Sequence, residues 1–152
     1  MQSYFDNFEG LNSYIQNNVK GSILVSYRNC ADYEGMVLGI MIVFDGREPK
    51  YELDLQWMSM GLDLYGDTLQ ESYVYQFVSL EALLEYLLLK YHINISDIPL
   101  KYQFDLSQFP NPIKDEAKKP LFEAAWQKFQ VDFENGAFLD PSLKLVYDSL
   151  DR

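Results

Sequence analysis

The stretch GMVLGIMIVFDGREPKYELDLQWM, residues 35–58, decides the fold. Its first half is apolar on both sides of a two-residue repeat. Met36, Leu38, Ile40, Ile42 and Phe44 share one side, and Val37, Met41 and Val43 share the other. A strand with that pattern, here Gly35 to Asp45, is expected to be covered on both faces. The second half, Tyr51 to Met58, alternates cleanly. Tyr51, Leu53, Leu55 and Trp57 are expected to point inward, and Glu52, Asp54 and Gln56 outward. Asp45-Gly46 opens a turn between the two and Pro49 closes it. Strands joined by so short a connection pair antiparallel.

Upstream, Ser22 to Asn29 reads as a first strand, with Ile23, Val25 and Tyr27 on one face. Before it, Phe5, Phe8, Leu11, Ile15 and Val19 recur at threes and fours, which predicts a helix over Tyr4 to Asn18. Gly10 weakens that helix by about 1 kcal/mol relative to alanine.

Downstream, Ser59 to Gln70 holds two glycines and two aspartates and reads as a loop. Glu71 to Val78 reads as a fourth strand, with Tyr73, Tyr75 and Phe77 on one face. Ser79 is a natural N-cap for a helix whose stripe is Leu80, Leu83, Leu84, Leu87, Leu88 and Tyr91. Glu81 in its first turn and Lys90 in its last suit the helix dipole. Asn94 to Pro112 carries three prolines and is expected to be irregular, with a short edge strand over Leu100 to Asp105. Lys114 to Lys119 is a solvated charged run. Pro120 opens a further helix striped by Phe122, Ala125, Trp126, Phe129 and Phe133, and Gly136 ends it. Asp140-Pro141 then predicts a last short helix with Leu143, Val146, Tyr147 and Leu150.

Strands in one run and helices in another indicate α+β. The expectation is an antiparallel four- to five-stranded meander sheet with an N-terminal helix and about three C-terminal helices. Residues 1–152 are expected to form a single domain, long enough to bury a core without disulfide or metal.

The formal net charge is -11. Direct binding to nucleic acid is not expected, because that rests on Lys and Arg neutralising phosphates. One cysteine, Cys30, excludes an internal disulfide and suits a reducing compartment. The opening residues lack the basic and apolar regions of a secretory signal, and the longest apolar run is too short for a membrane-crossing helix. The expected location is cytoplasmic, away from membranes.

No pattern of catalytic residues stands out. His92 is the only histidine and falls just past the leucine helix. One His and one Cys cannot complete a zinc site. Asp63 to Asp67 lacks the spacing of an EF-hand loop. Asp32 and Glu34 lie close to Cys30, and such neighbours make a thiol less reactive. Gly35 to Gly39 has no following lysine and is not a phosphate loop. The two glycines are better explained by a bulge or a close approach of another element. No cofactor and no metal are expected.

The strongest functional signal is electrostatic. Tyr51 to Leu89 holds seven carboxylates and no Lys, Arg or His, with five tyrosines and Trp57 among them. Glu52, Asp54, Asp63, Asp67 and Glu71, with Tyr65 as aromatic anchor, are the expected partner-binding patch. The expected function is a non-enzymatic acidic module that binds a basic protein. It is similar in type to toxin-neutralising immunity proteins, which inhibit nucleic-acid-cutting partners. The alternative is a small-ligand-binding protein or enzyme, with tyrosines, Trp57 and one carboxylate lining a pocket between sheet and helices.

Overall fold

A computed structural model describes residues 3–59, 69–103 and 116–148. The elements are α1 (Phe8–Asn18), β1 (Lys20–Asn29), β2 (Met36–Asp45), β3 (Lys50–Ser59), β4 (Leu69–Phe77), α2 (Leu80–Tyr91), α3 (Lys119–Glu134) and β5 (Lys144–Asp148). Short 3-10 turns occupy Ile95–Asp97 and Glu116–Lys118. The five strands form one antiparallel sheet in the order β1-β2-β3-β4-β5. An N-terminal helix precedes the sheet and two α-helices follow its first four strands, so the architecture is α+β.

The quoted stretch forms the β2–β3 hairpin, in unbroken register from Met36↔Ser59 to Asp45↔Lys50. One face of the sheet carries Ile23, Val25, Ile40, Ile42, Leu53, Leu55, Trp57, Tyr73 and Tyr75. Leu11 and Ile15 of α1, Leu83 and Leu87 of α2, and Trp126, Phe129 and Phe133 of α3 join these residues in one core. Burying a leucine of this kind contributes about 1.5–3 kcal/mol. Aromatic rings fill the end nearest α3, where Phe133 stacks on Tyr73 at 4.6 Å and 10°. The other face buries Val37, Met58 and Val74 outside that core.

The helix ends follow local chemistry. The Asn7 side chain accepts a hydrogen bond from the Gly10 amide at 2.9 Å, so α1 starts at Phe8 and not at Tyr4. Tyr4 instead forms an isolated bridge with Pro99. Ser79 caps α2 through the Ala82 amide at 3.1 Å. His92 ends that helix in the left-handed region, at φ 58°.

Three expectations need correction. Tyr27 does not share a face with Ile23 and Val25. The register shifts between Leu24 and Ser26, and this bulge turns Tyr27 to the far face opposite Gly39. The ring lies over Gly39, where a Cβ would stand 3.5 Å from it, in ordinary van der Waals contact. Leu100–Lys101 are not in a strand, and neither are the two residues after them; the remainder of that expected edge strand lies outside the described residues.

The third correction concerns the last expected helix, which is β5. Asp140 Oδ1 accepts from the Ser142 amide at 3.0 Å and the Ser142 hydroxyl at 2.6 Å, closing a side-chain turn. The chain then pairs with β4 as Tyr75↔Leu145 and Val74↔Tyr147. The open edge of β4 offers backbone donors and acceptors that a short helix would leave unsatisfied.

Candidate functional site

The expected acidic patch is not assembled as the strand alternation implied. Glu52 and Asp54 do lie on the face of β3 away from the main core, but they are only 8% and 6% exposed. Glu52 is 3.5 Å from Lys50 Nζ, and Asp54 accepts a hydrogen bond from Gln56 at 3.0 Å. Glu71 is 8% exposed and pairs with Trp57, which places it on the opposite face. These three carboxylates therefore present no common exposed surface. Alternation along a strand sorts side chains between faces, but it does not tell whether the second face is wet. Asp63, Tyr65 and Asp67 lie outside the described residues.

Two concave regions flank α2. The helix places its leucines on both sides because the six-residue stripe divides. Leu80, Leu83 and Leu87 are buried, Leu84 is half-buried and Leu88 is exposed. On one side, Leu84, Glu85 and Leu88 meet Asp6, Asn7, Phe8, Ile93 and Ile95 in a groove of about 540 Å³. Its described lining contains two carboxylates and no Lys, Arg or His. The Asn7 side chain is committed to the Gly10 amide, and the Asn94 amide donates to Asp97 at 2.9 Å. Apolar side chains and the Asp6 and Glu85 carboxylates are what the groove offers an incoming group.

On the other side lies a cleft of about 370 Å³ lined by Leu38, Trp57, Tyr75, Tyr86, Lys90, Tyr91, Phe138 and Asp140, among others. Its polar groups largely satisfy one another. Tyr86 donates to Asp140 Oδ2 at 2.8 Å, and the Asp140 amide donates to the Tyr75 hydroxyl at 2.8 Å. The Ser142 hydroxyl first, then the Tyr86 hydroxyl and Ser142 amide, hold the Asp140 carboxyl below its ordinary value against the opposing effect of burial. Burial, followed by the hydrogen bond to Asp140, pushes the Tyr86 phenol up. Arg28 donates from Nη2 to the Tyr91 carbonyl at 2.9 Å, tying β1 to the C-terminal end of α2.

Cys30 is half-buried between β1 and β2, and burial, helped by Asp32, pushes its thiol up to about 11. His92 is an exposed helix end. Among the described residues, no three His, Cys, Asp or Glu side chains are grouped to hold a metal. No described helix is long and apolar enough to cross a membrane.

Asp6 and Asp140 were not legible as site residues. One belongs to the expected first helix, and the other to the expected start of the last short helix. Glu85 carried a usable signal, since it lies four residues after Glu81 and shares a helical face with it. Set against known protein families, curated proteins and solved structures, the chain matches none.

Proposed function

We propose that this protein is a non-enzymatic binding module for a basic protein, acting in the cytoplasm, and most concretely an immunity-type inhibitor of a toxin. The observation that supports the reading is the charge of the helical side. Asp6, Glu9, Glu81, Glu85 and Asp97 are all exposed, on α1, on α2 and in the turns beside them. The same segments, residues 3–18 and 79–97, contain only Lys90 and His92 on the positive side. Such a surface attracts a basic partner and accelerates encounter, while nucleic acid is repelled.

The test is capture by the immobilised protein, followed by an activity assay on what is captured. The reading expects a basic protein, held in a salt-sensitive way, whose activity falls when this protein is added. A captured basic enzyme that works unimpeded would remove the inhibitor role.

A second reading, a small-ligand protein, is favoured by the 370 Å³ cleft, where Trp57, three tyrosines and Asp140 meet between sheet and helix. Quenching or shifting of Trp57 emission by small aromatic compounds would favour it over the first. The internal hydrogen bonding of Tyr75, Tyr86 and Asp140 weighs against it, because a ligand would find few polar groups still seeking a partner.

A further inference from the structure

We infer that the basic partner docks in the groove that α2 forms with the start of α1 and the turn after α2, presenting a cationic amphipathic segment. This rests on the basic-partner reading above and adds the place and the chemistry of contact. Apolar side chains of the segment would lie on Phe8, Leu84, Leu88 and Ile93, and its Lys or Arg heads would reach Asp6 and Glu85.

Two independent features of the groove select that occupant. The first is its floor. Leu88 is 43% exposed and Leu84 and Phe8 are half-buried, although Leu80, Leu83 and Leu87 of the same α2 stripe are buried in the core. A groove with an apolar floor along one face of α2 fits the apolar face of an added amphipathic segment. The second is its rim. Both charged residues of the lining, Asp6 and Glu85, are acidic. The one lysine of α2, Lys90, lines the opposite cleft. Lys and Arg suit this arrangement because their stems cover apolar surface while their heads stay at the wet rim. An acidic or neutral apolar segment would match the floor but not the rim.

The experiment uses the full chain and a labelled amphipathic peptide of leucine and lysine, with a leucine and glutamate peptide as control. Methyl resonances locate the site, and fluorescence anisotropy gives Kd. The inference expects the Leu/Lys peptide to shift the Leu84, Leu88 and Ile93 methyls. The double variant Asp6→Lys, Glu85→Lys should weaken it by about tenfold or more. Glu48→Lys with Glu123→Lys, a charge-matched change at exposed sites elsewhere, should weaken it much less. Shifts at other methyls, or equal weakening by both double variants, would overturn the groove assignment and leave the basic-partner reading standing. Failure to prefer the Leu/Lys peptide over the Leu/Glu peptide would overturn both.

Discussion

The Tyr86 hydroxyl donates a 2.8 Å hydrogen bond to Asp140 Oδ2, joining α2 to the segment that leads into β5 across 54 residues of chain. Through the Asp140 amide the same residue also holds Tyr75 of β4. Asp140→Ala leaves a half-buried phenol without its acceptor and opens the turn at Ser142. We expect a loss of about 1–2 kcal/mol in urea unfolding. The acid limb carries a second signature. Because the folded Asp140 carboxyl lies below its ordinary 3.8, the stability it contributes is present above 3.8 and is lost as pH falls through the lower folded value. The difference in unfolding midpoint between wild type and Asp140→Asn should therefore shrink between neutral pH and about pH 3. A difference that stays constant would show that the carboxylate charge is irrelevant.

The division of the α2 stripe predicts a division in cost. Leu83 is fully buried, and Leu83→Ala should cost about 2–5 kcal/mol. Leu88→Ala, at the exposed groove floor, should stay within about 0.5 kcal/mol of wild type. Comparable losses at both positions in chemical denaturation would place Leu88 in the core and close the groove.

Two backbone positions should respond in opposite directions to small changes. Gly35 has φ +78°, and a Cβ there would lie 2.5 Å from Phe122. Gly35→Ala should cost about 2–4 kcal/mol through overpacking and strain. Val19 turns the chain from α1 into β1 at φ 62° and ψ -71°, a γ-turn geometry unfavourable to a β-branched residue. Val19→Gly should relieve about 1 kcal/mol, read as a rise in melting temperature.

Several phenols and the thiol should titrate late. Burial, then the hydrogen bond to Asp132, pushes Tyr33 up to about 12, and burial, then Tyr75, pushes Tyr91 to about 12. Both lie above their ordinary 10.0. The stability gained by keeping them protonated is complete below 10.0 and is lost as pH rises through the folded values. Ultraviolet phenolate absorbance should then show a late fraction that ionises together with unfolding. Cys30, raised to about 11, should react slowly with a disulfide reagent at neutral pH and quickly once urea unfolds the chain. Immediate reaction in the folded state would contradict its half-buried position.

The hairpin, the leucine helix and the aromatic helix were legible because hydrophobic period and caps agreed at Ser79, Pro120 and the Asp45-Gly46 turn. Two other elements were not. Leu143, Val146 and Tyr147 have helical spacing, yet a pairing edge on β4 and the turn made by Asp140 outweigh a period counted over so few residues. Tyr27 left its expected face because one extra residue at the bulge inverts all that follows, and only Gly39 on the neighbouring strand hinted at it. The candidate site was the least legible part. Burial of Glu52, Asp54 and Glu71 depends on what covers each face, which alternation does not encode, whereas Asp6, just ahead of α1, and Glu85 of α2 come to one groove only through the tertiary fold.

The strand order also dictates a timetable. β1 to β4 are each joined to the next by a short connection, so their pairing closes small loops and can proceed early. β5 is different, because it returns to β4 only after α2 and α3 have been traversed. Its closure carries the largest entropy of any strand in the sheet, and Asp140, bonded to both Tyr75 and Tyr86, is positioned to act as the latch. Native-state hydrogen exchange should therefore find the amides that β4 shares with β5 opening well before those of the β2–β3 hairpin, as a separate cooperative unit that detaches while the rest of the sheet stays zipped.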